Sequence, residues 1–187
     1  MARIPSVEHV VLIDDNDQVL GVAPKATVHG STTPLHRGFS LFLFNRAGEL
    51  LLQQRALHKL TWPGAWSNSV CGHPAADETA SQAAVRRTRE ELGLTLQDAL
   101  QIAPYRYRFR RQGVEENEIC PLVVATTRQT PSPNPEEVAA IRWVGWNDFL
   151  REVRENPGRY SEWCEEEIVV LDESPAFRDW YLQRFGK

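Results

Sequence analysis

The chain has 187 residues, 42% of them apolar and 25% charged, with a formal net charge of −4. That length buries a core without staples, and the acidic balance speaks against non-specific binding to nucleic acid or anionic membrane. Three cysteines, Cys71, Cys120 and Cys164, show no short CxxC spacing, which excludes a disulfide framework and a cysteine-rich zinc module.

In chain order, residues 7–14 and 19–23 read as strands around the polar turn Asp15–Asn16–Asp17. The opening residues lack the apolar core of a signal peptide, and no run of about 18 uncharged apolar residues occurs. A cytoplasmic, reduced, soluble protein is therefore expected. Residues 25–37 read as a polar loop carrying two histidines, and 39–55 as a hairpin turning through Asn45, Arg46, Ala47 and Gly48. The stretch "WSNSVCGHPAADE" then sets a thiol, a glycine, an imidazole and a proline side by side. By itself it fits a metal thiolate, a covalent nucleophile or a tight turn.

Residues 79–92 have helix-forming composition and stop at Gly93, a natural residue just past a helix end. Residues 105–110 alternate aromatic and arginine, as a strand with two distinct faces does. "NEICPLVVATT" and "VAAIRWVGW" read as further strands, and Pro131, Pro133 and Pro135 mark a surface loop. "NDFLREVREN", "SEWCEEEIVVLDE" and "PAFRDWYLQRF" read as helices. Strands, one central helix, more strands and terminal helices predict an α+β layered domain. We expect a single domain over 1–187, with a helical extension from about residue 146.

On the central helix, Arg87 and Glu91 share a face, as do Arg86 and Glu90. Taken alone, such pairs are surface ion pairs worth about 0.2–0.5 kcal/mol each. Their wider context is more specific. Gly72, Glu78, Arg86, Glu90, Glu91, Gly93 and Leu94 stand at the spacing of the Nudix box and resemble it. In that box a loop–helix–loop presents carboxylates that hold Mg²⁺ against a diphosphate, and hard oxygen ligands suit such an ion. Position 87 departs from the box, which has Glu where this chain has Arg. The change removes a metal ligand or water activator and adds a bidentate phosphate clamp. It favours holding a diphosphate over hydrolysing it.

His29, His36 and His73 lie within one short segment, and Glu116 and Glu118 come later. In a strand Glu116 and Glu118 point to one side, while Glu115 and Asn117 point to the other. Singly, each histidine is best read as a surface or core-satisfied residue. Together, three imidazoles and two carboxylates suit an ion of the Zn²⁺, Mn²⁺ or Mg²⁺ class.

The segments "LHRGFSLFLFN", "WPGAWSNSVCGHP", "RRTREELG", "YRYRF", "ENEICP" and "YSEWCEE" together resemble the type 1 isopentenyl-diphosphate isomerases. These are Nudix-fold enzymes that interconvert isopentenyl diphosphate and dimethylallyl diphosphate. The resemblance runs over about residues 7–163, and the terminal helices match only loosely. It implies a Nudix-type layered α/β/α domain with a mixed sheet and extra C-terminal helices. It implies that His29, His36, His73, Glu116 and Glu118 hold one divalent ion, Mn²⁺, Zn²⁺ or Mg²⁺. A separate Mg²⁺ is then expected between the substrate diphosphate, Glu91 and the Cys71 backbone carbonyl. Lys25, Arg55, Lys59 and Arg87 stand where the family places its phosphate-binding cations.

Cys71 and Glu118 become the two proton-transfer groups, facing the alkene from opposite sides. Tyr107 is the donor that supports Glu118, and Trp163 offers an indole face to a carbocation. Glu115 competes for the place of Glu116, and same-face geometry favours Glu116. His58, Cys120 and Cys164 carry no role. The partner implied is a small isoprenoid diphosphate, with no nucleic acid or membrane, and the chain is expected as a monomer or weak homodimer. Two rivals remain at this point. A Nudix pyrophosphatase needs the carboxylate that Arg87 replaces and has no use for Cys71, and a non-enzymatic metal-binding module predicts no turnover.

Overall fold

The computed structural model describes residues 8–111 and 113–186, so Val7, the first residue of the first expected strand, lies outside them. Twelve strands and five helices occur among the described residues. β1 (His9–Ile13) and β2 (Val19–Pro24) pair antiparallel across the polar turn. The expected loop that follows contains a single helical turn, α1 (Lys25–Val28), and a two-residue strand, β3 (His36–Arg37).

β4 (Phe39–Phe44) and β5 (Glu49–Arg55) form the hairpin, and the "FSLFLF" of β4 is buried at all six positions. Such a run belongs to a strand covered on both faces, and the packing shows why. Phe39, Leu41 and Leu43 join a core with Ala80, Ala83, Ala84 and Leu92 of α2 (Ala80–Leu92). Phe42 and Phe44 face the opposite core, built with α3 (Trp146–Glu155), α4 (Glu162–Glu173) and α5 (Pro175–Phe185). The hairpin opens to admit two short strands, β6 (Trp66–Ser67) on β5 and β7 (Val70–Gly72) on β4. Two- and three-residue strands are too short to show a period, which is why pattern alone read them as loop.

α2 is capped at both ends. Thr79 accepts from the Gln82 N–H while the Gln82 side chain returns to the Thr79 N–H, and Gly93 closes the helix at φ 66°. β8 (Ala99–Ala103), β9 (Arg106–Arg111), β10 (Val114–Ile119), β11 (Leu122–Thr126) and β12 (Val138–Gly145) complete the sheets. One sheet runs β2-β1-β3-β10-β9 and the other β12-β5-β4-β11-β8. Each is mixed, with β3/β10 and β4/β11 as the parallel pairs.

Two sequence expectations change here. "NEICPLVVATT" is two strands, because the chain leaves one sheet at Cys120–Pro121 and enters the other. Proline has no N–H for a ladder, so it suits the crossing point. Trp146 opens α3 rather than ending β12. Trp146, Phe149, Leu150 and Val153 then make the buried stripe of that helix at helical spacing.

Candidate active site and metal centre

The parallel pairing of β3 with β10 sets His36 opposite Glu118, and the antiparallel pairing of β9 sets Tyr107 opposite Glu118 on the other side. His36 Nε2 and His73 Nε2 lie 3.2 and 3.1 Å from Glu118 Oε1. His29 Nε2 lies 3.3 Å from Glu116 Oε2. Ligand atoms of His29, His36, His73 and Glu118 all fall within 4.8 Å of one another. Glycine is required beside them, since a Cβ at Gly38 would collide with the Glu118 carboxylate.

Only His73 Nε2 and Glu118 Oε1 form a hydrogen bond among these atoms; the others approach without satisfying one another. His29 Nε2, His36 Nε2, His73 Nδ1 and Glu116 Oε2 are buried with no hydrogen-bond partner. An unpartnered buried polar atom costs about 1–3 kcal/mol, so a convergent set of them fits a divalent cation. The second nitrogens are already engaged on two of the rings. His36 Nδ1 donates to Pro34 O at 2.9 Å and His29 Nδ1 to Lys25 O at 3.4 Å, which leaves each Nε2 to face inward. Burial pushes His73 down to about 4, so its imidazole is neutral, as metal ligation requires.

Cys71 sits two residues before His73, on β7 opposite Ser40. Its thiol donates to Asn68 Oδ1 at 3.0 Å, and Ser40 Oγ lies 3.5 Å away. Burial, reinforced by the Glu167 carboxyl, pushes the thiol up to about 12. The ordinary cysteine range near 8.5 therefore does not apply, and Cys71 is a thiol at neutral pH. Burial and the Glu118 charge likewise keep the Tyr107 phenol protonated. Trp163, on α4, is buried in the same core that Cys71 and Tyr107 pack against.

The four cations are brought to carboxylates or carbonyls. Lys25 Nζ lies 3.0 Å from Glu8, Lys59 Nζ 2.7 Å from Glu137, and Arg87 Nη2 2.6 Å from Glu91 and 3.4 Å from Glu137. Arg55 Nε donates to Thr61 O at 3.3 Å. Glu91 is buried, and its second oxygen accepts from Gln53 Nε2 at 3.1 Å. Glu78 binds Arg86 at 2.7 Å and accepts from the Ala75 N–H at 2.9 Å, which ties the loop to the helix. Glu115 takes the other side of β10, accepting from the Thr33 N–H, Arg108 and Arg110. His58 is exposed, 3.5 Å from Glu136.

Sequence reasoning passed over several residues here. Glu167 is fully buried, with Oε1 3.9 Å from Cys120 Sγ and Oε2 unpartnered. Burial raises its carboxyl well above the ordinary range. A signal existed, because Glu167 stands four residues after Trp163 and so shares its helix face. The acidic run around it hid that signal. Ser40, Asn68 and Gln53 carried no sequence signal of this kind.

Comparison with known proteins places the chain by family and fold. The Nudix domain family model matches residues 34–164. Among solved structures, DR0079 from Deinococcus radiodurans aligns with a TM-score of 0.68 at 21% identity, covering 87% of this chain and 98% of that one. The MutT protein from Methanosarcina mazei Go1 aligns with a TM-score of 0.59 at 19% identity, covering 75% and 97%. Fold and domain match therefore define a Nudix protein. The isopentenyl-diphosphate Delta-isomerase of Saccharopolyspora erythraea is 48% identical over 173 residues, 91% of this chain and 89% of its own length. That of Klebsiella pneumoniae is 41% identical over 181 residues, 96% and 98% of the two chains. The chain belongs to the isopentenyl-diphosphate Delta-isomerase family. Among the described residues, no helix is long and apolar enough to cross a membrane.

Proposed function

We propose that Cys71 and Glu118 carry the interconversion of isopentenyl diphosphate and dimethylallyl diphosphate in this chain. The observation that supports this most is a half-buried, protonated thiol two residues from His73, whose ring contacts Glu118. Moving an alkene by one bond adds a proton to one carbon and removes one from a carbon two positions away. The thiol proton of Cys71 goes to the terminal alkene carbon, whose π electrons form the new C–H bond. A tertiary carbocation results, and the Glu118 carboxylate takes a proton from C2 as that C–H pair becomes the new double bond. The reverse reaction exchanges the two roles. Tyr107, opposite Glu118 in register, would serve as the hydrogen-bond donor that supports the carboxylate. The indole of Trp163 lowers the energy of the cation by about 0.5–2 kcal/mol, in a site from which water is excluded.

His29, His36, His73, Glu116 and Glu118 would hold a divalent ion, with Mn²⁺, Zn²⁺ and Mg²⁺ all compatible with nitrogen and oxygen donors. Glu91 and the Cys71 carbonyl would hold Mg²⁺ with the substrate. Such ions supply charge neutralisation and fix the groups around them. Lys25, Arg55, Lys59 and Arg87 would exchange their present partners for the diphosphate oxygens.

The test supplies isopentenyl diphosphate and Mg²⁺ in D₂O and follows proton NMR. Dimethylallyl signals with deuterium incorporation are expected. Release of free phosphate without alkene movement would instead establish the pyrophosphatase reading. Cys71→Ala should lower turnover by about 10²–10⁴-fold with bound metal unchanged, and a near-normal rate would remove Cys71 from the chemistry.

A further inference from the structure

Beside Tyr107 and Trp163 stand two further aromatic rings, Phe109 and Trp62, to which the reaction assigns no part. Tyr107 and Phe109 lie two residues apart on β9 and so share a face. Their rings stack with centroids 5.6 Å apart, and Tyr105 extends the stack behind Tyr107 at 5.5 Å. The register places Tyr107 opposite Glu118 and Phe109 opposite Glu116. One strand repeat is about 7 Å, comparable with the length of a short alkenyl chain. A longer chain whose reacting carbons lie at Glu118 therefore runs into Phe109.

Phe109 does not stand alone. Its ring stacks on Trp163 at 5.9 Å, and Trp62 meets Trp163 edge-on at 5.5 Å and Phe109 at 5.9 Å. The three rings close on one another. Trp62 belongs to the loop that carries Lys59, and its backbone has φ 49°. A non-glycine residue adopts that left-handed conformation at a cost of about 1–2 kcal/mol. The Ala65 N–H donates to Trp62 O at 3.2 Å, and Gly64 follows at φ 73°, which holds the turn. In the same loop Leu57 and Leu60 are 71% and 99% exposed, whereas Trp62 packs inward against the core. The loop accepts backbone strain to seat this indole and leaves its leucines in water.

We infer that Phe109 and Trp62 are specificity-determining residues that end the alkenyl pocket against Trp163 and restrict the substrate to a short branched five-carbon chain. The inference rests on the isomerase reading above. An apolar wall discriminates by filling space, and one methylene of misfit is worth about 10–200-fold in kcat/KM.

The test compares isopentenyl diphosphate with its homologue bearing an ethyl group in place of the C3 methyl, using metal-loaded full-length enzyme and proton NMR. Wild-type turnover of isopentenyl diphosphate checks the isomerase reading separately, and its absence would remove that reading. Given turnover, the ratio of kcat/KM for isopentenyl diphosphate over the homologue should fall about 10-fold or more in Phe109→Ala and Trp62→Ala. Phe109→Leu, which keeps part of the wall, should give a smaller fall and covers the case in which the alanine variant does not fold. A ratio unchanged in Phe109→Leu and Trp62→Ala, with any loss of rate equal for both substrates, overturns the inference.

Discussion

Two interiors lie in this chain, and they bury opposite chemistry. Around β3 and β10, imidazoles and carboxylates lose water without gaining enough hydrogen bonds to replace it. Under α3–α5, Phe44 is ringed by Trp146, Phe177, Trp180, Tyr181 and Phe185 at centroid distances of 5.4–6.0 Å. Two polar tips in that group find partners at its edge: the Tyr181 hydroxyl donates to Gly48 O at 2.8 Å and Trp146 Nε1 to Asp172 Oδ1 at 3.4 Å. The aromatic interior stabilises the fold. The polar one costs stability and is kept for what it can bind. Mutations in the two should therefore separate activity from stability.

Gly38→Ala tests the polar interior most severely, because the added methyl takes the place of the Glu118 carboxylate. Metal affinity should fall by about 10–100-fold, with turnover lost alongside it, as read by the metal-to-protein ratio and the NMR assay. Full metal content in a folded variant would show that Glu118 can move without consequence. Phe177→Ala tests the aromatic interior. It should cost about 3–5 kcal/mol of stability in urea titrations, with the metal content of the folded fraction at wild-type level. A loss of metal in that variant would couple the two interiors and erase the contrast.

The smallest effect belongs to a partly exposed clamp joining β12 to α3. Arg142 lies 2.6 Å from Glu152, and the Tyr160 hydroxyl donates to the same oxygen at 2.5 Å. The hydrogen bond from Arg142, against burial and with help from Tyr160, holds the Glu152 carboxyl down to about 2. Its folded value lies below the unfolded one, so its contribution is complete above about pH 4.5 and is lost as pH falls towards 2. Glu152→Gln should remove about 0.5–1 kcal/mol at neutral pH after screening and flatten that part of the acid limb. An unaltered acid limb would assign the clamp no part in stability.

The sequence was legible where a feature has a period or a fixed spacing. The buried run of β4, the box of α2 with its glycine stop, and the same-side placement of Glu116 and Glu118 all follow from such rules. The meeting of Trp62 with Phe109 and Trp163 was not legible, and the helix-face signal of Glu167 was masked by the acidic run around it. Nothing in the order of residues says that a loop, an edge strand and a C-terminal helix meet. Pairing such distant segments is a matter of register and packing.

By itself, then, the sequence determined the longer elements, the ligand-bearing residue types and the departure at Arg87. Only the tertiary structure decided that His36 pairs in register with Glu118 across a parallel crossover, that Gly38 leaves room for the carboxylate, and that burial and Glu167 push the Cys71 thiol up. The physical reason is common to all three. Local rules act within a few residues, whereas burial and electrostatic shift depend on which surfaces the chain brings together from distant parts of the sequence.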